Sequence, residues 1–400
     1  MNEGDVRRAA PRIAVIAGTP QLVCGARALG VRTVLVHDAG GPVPGCADDA
    51  DEVLAVDLAD TGALHTALAR LHAGHPLQRV LSLTESGLLP AAAVAERLGL
   101  PGNALRTVRL LQDKREMRTL LNARGLSPVR TAAPRDAAEL AAFSAATGGP
   151  VILKPAAGSG SEAVFRVETP ADAQDVWARF AAAGGTGPVA EEFLDGPEIS
   201  VETFTYDGTH TVITMTDKDV WPSFVEAGHT VPSRLPAGVR EETAALVAAF
   251  LDAVGLREGP AHTEVKITSG GPRIIESHNR IGGDKIRELV RRAYGLDLPA
   301  LTVGCPLGLL APPPAEPVAS AGAAIRFLAP APGTVRRIRV PEPERADDIV
   351  SLDVAVGDRV GPVRGSDDRA GHVLVTGTDA ADAARRGAAL RDRVLIETGD

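Results

Sequence analysis

The first hundred residues most constrain what this 400-residue chain can fold into. Short aliphatic runs at 12–17, 33–37, 52–56 and 79–83 read as strands, and the Ala/Leu-rich segments at 22–29, 63–71 and 88–98 read as helices. A strand that returns parallel to its predecessor needs a crossover, so this alternation predicts a parallel sheet covered by helices. Turn residues in L-G-L-P-G-N (98–103) close the unit. Ligands of such sheets bind at the carboxyl ends of strands, which makes Thr84 and Glu85 a candidate binding edge. The glycines of I-A-G-T-P-Q-L-V-C-G (16–25) have the wrong spacing for a dinucleotide fingerprint, which argues against an oxidoreductase.

This length exceeds one ordinary core, so two or three domains are expected. Only 3% of residues are aromatic, so the cores must be built from Ala, Leu and Val. A net charge of −9 without a Lys/Arg block argues against nucleic acid as a partner. Arg7 and Arg8 precede an apolar run that Gly18, Thr19 and Pro20 end at once, so it reads as a strand and not a signal peptide. No run has membrane-spanning length. Cys24, Cys46 and Cys305 fit neither a disulfide framework nor a zinc knuckle, and a reducing, cytoplasmic location is expected.

A second α+β unit is expected over roughly 114–297, opening with a helix around 113–124. P-V-I-L-K-P (150–155) reads as a strand, A-A-G-S-G-S (156–161) as a flexible loop and A-V-F-R-V (163–167) as another strand, before a helix over 172–180. Residues 198–206 and 209–216 alternate as antiparallel strands joined through Asp207-Gly208, a strong hairpin signal. H-T-E-V-K-I (262–267) and R-I-I-E-S-H (273–278) form a further antiparallel pair. Beyond the rigid linker L-A-P-P-P-A-E-P (310–317), strands at 323–328, 334–340 and 372–377 and a helix over 379–390 describe a small closing subdomain.

Three clusters can carry chemistry. Lys154 ends a strand, and Gly158, Ser159, Gly160 and Ser161 follow it. Glycine N–H groups, serine hydroxyls and a lysine suit an anion, although the same pattern suits an ordinary turn. The lysine precedes the glycines, so this is not a Walker loop. Lys114 opens the preceding segment, and two anchored lysines on one anion suit a polyphosphate. Glu264 and Glu276 can point to one side as oxygen ligands for Mg²⁺ held with phosphates; a solvated strand face is the competing reading. His278 shares the face of Glu276 by the two-residue period, as a further ligand or as a hydrogen-bonding structural residue. Arg280 suits a bidentate grip on phosphate or carboxylate, or an ion pair with Asp284. Gly282 and Gly283 after it permit close backbone approach.

Taken in order, these features are a lysine, a lysine with a Gly/Ser loop, E-E-F-L-D-G-P-E (191–198), and paired glutamates with H-N-R-I-G-G (278–283). The chain resembles the ATP-grasp superfamily of ATP-dependent carboxylate–amine ligases, and within it the bacterial L-amino acid ligases that form dipeptides. The resemblance implies an α/β ATP-grasp fold. It would comprise an N-terminal parallel-sheet pre-ATP-grasp domain (1–110), a central α+β ATP-grasp domain with a small lid subdomain (111–185) and a large subdomain (186–310), and a small C-terminal closing subdomain (311–400).

The same resemblance implies ATP and Mg²⁺ as cofactors, with Mn²⁺ as a substitute. Lys114 and Lys154 would meet phosphates, Lys154 also nearing the adenine side, with Ser159, Gly160 and Ser161 in the loop that closes over them. Glu191 and the backbone of Glu192 and Leu194 would meet the adenine beside Phe193, Glu198 the ribose hydroxyls, and Glu264 and Glu276 the metal. Many members read glutamate, any residue, asparagine, any residue, arginine. Here Glu276 and Arg280 keep that register, but His278 stands in place of asparagine and Asn279 follows, so either His278 or a shifted Asn279 is the third ligand. T-D-K-D-V-W-P-S-F-V-E-A-G-H (216–229) looks like the substrate-side segment, which would bring Glu226 and His229 to the bound amino acid or its acyl phosphate; an exposed turn is the competing reading. Arg280 would hold the carboxylate or tetrahedral oxygens, and Asp284 would border the first substrate's side chain, where an acid favours a polar or basic substituent.

The implied activity joins an amino acid or related carboxylic acid to an amine through an acyl phosphate, releasing ADP and phosphate, in specialised metabolite biosynthesis. Small-molecule substrates, a homodimer, and no nucleic-acid or membrane partner are expected. A carboxylase or purine-biosynthesis ligase is the alternative, favoured by the tail at 334–390. A regulatory protein with dead chemistry is disfavoured because Lys114, Lys154, Glu264 and Glu276 are all present.

Overall fold

The computed structural model describes residues 10–157 and 163–399. In the N-terminal unit β1 (Arg12–Ile16), α1 (Pro20–Ala28), β2 (Arg32–Asp38), β3 (Glu52–Val56), α2 (Thr61–Gly74), β4 (Arg79–Leu81) and α3 (Glu85–Arg97) follow the expected alternation. The strands pair in parallel in the order β3-β2-β1-β4. Side chains alternate along β1, so Ile13 and Val15 share a core with Leu22 and Val23 of α1, and Ala14 and Ile16 share another with Leu64 and Leu68 of α2. Helices on both faces explain why β1 is apolar from Ile13 onward.

Next come α4 (Leu105–Gln112) and α5 (Lys114–Ala123). Asp113 caps α5 by accepting from the Arg115 and Glu116 N–H groups, which fixes where Lys114 enters the helix. The lid sheet is antiparallel: β5 (Thr131–Ala132), β6 (Val151–Pro155), β7 (Phe165–Val167) and β8 (Pro188–Glu192) lie in the order β5-β8-β6-β7. The interleaved α6 (Ala137–Thr147) and α7 (Ala173–Ala182) complete its core.

The large unit contains β9 (Glu198–Tyr206), β10 (Thr209–Val220), β11 (Glu226–Val231), α8 (Ala237–Val254), β12 (Gly259–Thr268), β13 (Gly271–His278), α9 (Ile286–Tyr294) and α10 (Leu298–Gly304). Asp207 (φ 48°) and Gly208 (φ 78°) both adopt left-handed backbone, as a two-residue hairpin between twisted strands requires. The C-terminal part adds β14 (Gly322–Phe327), β15 (Gly333–Arg339), β16 (Ile349–Leu352), β17 (Arg359–Val360), β18 (Gly371–Gly377), α11 (Ala380–Arg393) and β19 (Leu395–Gly399).

The boundary expected at 310–311 does not divide the sheets. One eight-stranded sheet runs β13-β12-β9-β10-β11-β14-β18-β16, so β14 covers the edge that β11 would otherwise expose. Only β15, β17 and β19 form a separate three-stranded sheet. Among the described residues, no helix is long and apolar enough to cross a membrane.

Helix α11 lies directly on a glycine pair. Gly322 and Gly377 stand opposite each other in β14 and β18. A Cβ on Gly322 would lie 2.1 Å from the Asp379 carbonyl oxygen, and one on Gly377 would lie 2.4 Å from the Ala383 nitrogen. Gly322→Ala is therefore expected to destabilise the protein by about 1–3 kcal/mol through overpacking. Gly45→Ala, where a Cβ meets nothing within 4 Å, should leave urea denaturation unchanged and serves as the control.

Candidate active site

Two cavities meet at a pair of carboxylates. Glu264 on β12 and Glu276 on β13 are direct cross-strand partners, with a bulge just after Glu264 that re-aims the strand. Both residues line a cavity of about 270 Å³ between the lid and the large sheet, and both also line a second, of about 430 Å³, facing the N-terminal unit.

The first cavity contains the expected lysines. Lys154 on β6 reaches Glu191 Oε2 at 2.7 Å, and Lys114 at the start of α5 reaches Glu276 Oε2 at 2.9 Å. Glu191 is buried, and its other oxygen accepts from Arg118 Nε at 2.7 Å. Burial pushes the Glu191 carboxyl up, but Lys154 and Arg118 outweigh it and hold the group ionised. Glu191 thus fixes Lys154, with its carboxylate engaged by these two cations. Arg118, fully buried, also donates to the Ser127 and Ile274 carbonyls and so ties α5 to β13. Glu192, Phe193, Leu194 and Glu198 line the same cavity, and the Arg166 guanidinium lies 4.0 Å above the Phe193 ring. Ser159, Gly160 and Ser161 lie outside the described residues.

Lys218, on β10, carries no expected role yet occupies the centre. Its buried ammonium lies 2.6 Å from Glu198, 2.7 Å from Glu264 and 3.4 Å from Glu226. Burial alone would lower its pKa, but the three carboxylates raise it well above the ordinary lysine value. The sequence signal was present: Thr214, Thr216 and Lys218 alternate onto one buried face of the strand. A second buried pair stands behind Glu264. His262 Nδ1 meets Glu202 Oε1 at 2.9 Å and its Nε2 faces Glu264 Oε1 at 3.4 Å. Burial opposes the imidazolium, but Glu202 and Glu264 push its pKa to about 9. Gly282 is required here, because a Cβ would sit 2.7 Å from His262 Nδ1.

The second cavity brings Glu226, His229, Arg280 and Asp284 together with Thr84 and Glu85 from the N-terminal unit. Arg280 pairs with Glu85 and donates to the Ile281 carbonyl, so the anticipated Arg280–Asp284 pair gives way to a contact across units. Asp284 instead binds His229 Nε2 at 3.0 Å and Arg369 Nη2 at 2.6 Å. Arg369, which stacks 3.7 Å above Phe327, had no signal in local sequence.

His278 and Asn279 stand differently from the expected third ligand. His278 Nε2 lies 3.2 Å from Glu276 and Nδ1 lies 2.7 Å from Glu85, so both ring nitrogens face carboxylates. An imidazole raised in pKa by two acids donates protons and offers no lone pair to a metal. Asn279 lines a separate small cavity with Leu81 and Leu88, away from the carboxylate pair. Among the described residues no cluster of three or more acids, histidines or cysteines could hold an ion unaided. Two ionised carboxylates in register nevertheless fit Mg²⁺, which takes few protein ligands and completes its octahedron with phosphate and water. Glu276 is held well below the carboxylate range, against burial, by Lys114 and His278, and Glu264 falls to about 2, against burial, chiefly through Lys218.

Three family models match in succession: the ATP-grasp N-terminal domain over 23–102, the ATP-grasp domain over 147–288 and the L-amino acid ligase C-terminal domain 2 over 326–399. The chain belongs to the ATP-grasp superfamily of carboxylate–amine ligases. Within that class it is related to the bacterial L-amino acid ligases. It superposes on the L-amino acid ligase of Bacillus licheniformis with a TM-score of 0.80 and 22% identity, over 98% of this chain and 99% of that one. It is 23% identical over 263 residues to the L-arginine-specific L-amino acid ligase of Bacillus subtilis, covering 62% of each. To carnosine synthase 1 of Gallus gallus it is 28% identical over 259 residues, covering 59% of this chain and 28% of that protein. The chain thus spans less than two thirds of the length of the curated relatives it matches.

Two outcomes follow from these charges. Lys218→Met leaves three buried or half-buried carboxylates without their cation and should lower stability at pH 7 by about 3–5 kcal/mol in urea denaturation. Glu85 is pushed up by burial but brought down to about 2 by His278 and Arg280, from 4.5. Its contribution is therefore present above pH 4.5 and lost as pH falls toward 2. The melting-temperature deficit of Glu85→Gln should be full at neutral pH and shrink below pH 4.5.

Proposed function

We propose that this protein is an ATP-dependent ligase that joins the carboxylate of an amino acid, or a related acid, to an amine. The observation that carries this reading is the shared wall: Glu264 and Glu276 border both a lysine-lined cavity and an arginine-lined one. A nucleotide in the first and a carboxylate in the second would meet at those two acids. Bound ATP with Mg²⁺, for which Mn²⁺ can substitute, supplies the phosphoryl group that makes the acid an acyl phosphate, with ADP released, before an amine displaces phosphate.

The chain's own residues prepare this. Glu264 and Glu276 hold the cation; Lys114 and Lys154, the latter fixed by Glu191, counter charge on the phosphates. Glu198 takes the ribose, and Phe193 and Leu194 the adenine. Arg280, oriented by Glu85, holds the reacting carboxylate oxygens, and Glu226 and His229 line the amino acid's side of the junction. Small-molecule substrates, a homodimer, a cytoplasmic location and a role in specialised metabolism complete the reading. The match to the L-amino acid ligase C-terminal model supports amino acids over bicarbonate as the acid.

The test is phosphate release from ATP and Mg²⁺ across single amino acids, amino acid pairs, simple acids and bicarbonate, scoring ADP against AMP and product mass. ADP formation stimulated by a pair, with a condensed product, is expected; a bicarbonate requirement would move the protein to the carboxylase type, and AMP would overturn the mechanism. Glu276→Gln should lower kcat on the order of 10²–10³-fold in the same assay.

A further inference from the structure

The cations of the larger cavity are nearly all committed to acids on the protein itself. Lys218 serves Glu198, Glu226 and Glu264, His262 serves Glu202 and Glu264, His229 serves Asp284, and Arg280 serves Glu85. Arg287, in the first turn of α9, is the exception: it lines this cavity, is half-buried, and has no ion pair or hydrogen bond among the described residues. Two more side chains of the same wall are likewise uncommitted, Gln21 from α1 and Ser366 from the C-terminal part. The three come from three separate parts of the chain and converge on one space of about 430 Å³.

Five carboxylates, Glu85, Glu226, Glu264, Glu276 and Asp284, face that space. An anionic group entering it is repelled unless a cation receives it, and every other cation already has a partner of its own. A guanidinium with an amide and a hydroxyl beside it matches the planar, two-oxygen geometry of a carboxylate. We infer that Arg287, with Gln21 and Ser366, binds the carboxylate of the amine-donating substrate, so that this substrate is an α-amino acid or a peptide and not a simple amine. The inference rests on the ligase reading above and adds to it a second carboxylate site, distinct from the reacting carboxylate at Arg280. Asp284, neutralised by both His229 and Arg369, is not available as the counterion of a basic amine donor.

The experiment compares amine donors at a fixed acid substrate and ATP: an α-amino acid, its carboxamide, and hydroxylamine, which traps the activated acid as a hydroxamate. In the wild type the α-amino acid should be the best donor. Arg287→Gln is expected to lower kcat/KM for the α-amino acid at least tenfold relative to the carboxamide and hydroxylamine, mostly through KM, and Arg287→Lys should restore part of that ratio. An equal loss with all three donors, or no change in the ratio, would overturn the assignment while leaving the ligase reading intact. Absence of ADP and hydroxamate from the wild type with every acid tried would overturn the ligase reading, and the assignment with it. Circular dichroism and the melting temperature of Arg287→Gln separate misfolding from lost recognition, and Gln21→Ala supplies a second variant expected to move the donor ratio in the same direction.

Discussion

One buried ammonium holds the centre of this molecule together. Lys218 projects from β10 and reaches the first residue of β9, the first residue of β11 and the middle of β12. Three carboxylates brought this close would repel one another strongly in a low-dielectric site, and the cation converts that repulsion into attraction. The positions of Glu198, Glu226 and Glu264 are thereby mutually dependent. Glu264 in turn faces His262, which is held by Glu202, itself bonded to Ser200. The floor of the site is thus a continuous polar network inside an aliphatic sheet, and every member has a partner.

The same logic joins separate parts of the chain. Glu85, the first residue of α3, contacts both His278 and Arg280, so the carboxyl end of the N-terminal parallel sheet is tied to the end of β13. Arg369 ties the C-terminal part to Asp284, and Arg118 ties α5 to Glu191 and the Ile274 carbonyl. None of these contacts is a surface ion pair of the kind worth little in water. Each is half or fully buried and fixes a residue that lines one of the two cavities.

What could be read in the sequence follows from how local its cause is. The N-terminal sheet was legible because both its faces are covered, so its strands are continuous apolar runs between breakers. The Glu264–Glu276 pairing was legible because the short turn at 269–272 sets the register, and the bulge after Glu264 leaves those two residues opposite each other. Helices α6 and α8 went unread because they are alanine-rich, and small apolar residues on every side blur the helical period. Lys218 was illegible as a functional residue for a different reason: its three partners come from three other strands. The third-ligand expectation at His278 failed on the same point, since the Glu85 carboxylate that claims its Nδ1 belongs to another unit. The C-terminal boundary misled because a proline-rich linker marks a change in composition, not the end of a sheet.

The charge arrangement also constrains how the site can take up its substrates. Each carboxylate of the central pair already carries a lysine, Lys218 on Glu264 and Lys114 on Glu276. Both acids are consequently ionised at neutral pH without a metal, and no proton must be expelled for a divalent cation to bind. Lys114 belongs to the cavity assigned to the nucleotide, whereas Lys218 is anchored by two further acids on the opposite side. A polyphosphate arriving with its cation can therefore draw Lys114 away from Glu276 while the cation replaces it, and the total charge of the wall hardly changes. Lys218 has no such exchange open to it without uncovering Glu198 and Glu226. The asymmetry makes one lysine a ligand-responsive group and the other a fixed part of the scaffold, although both carry the same charge and contact the same pair of acids.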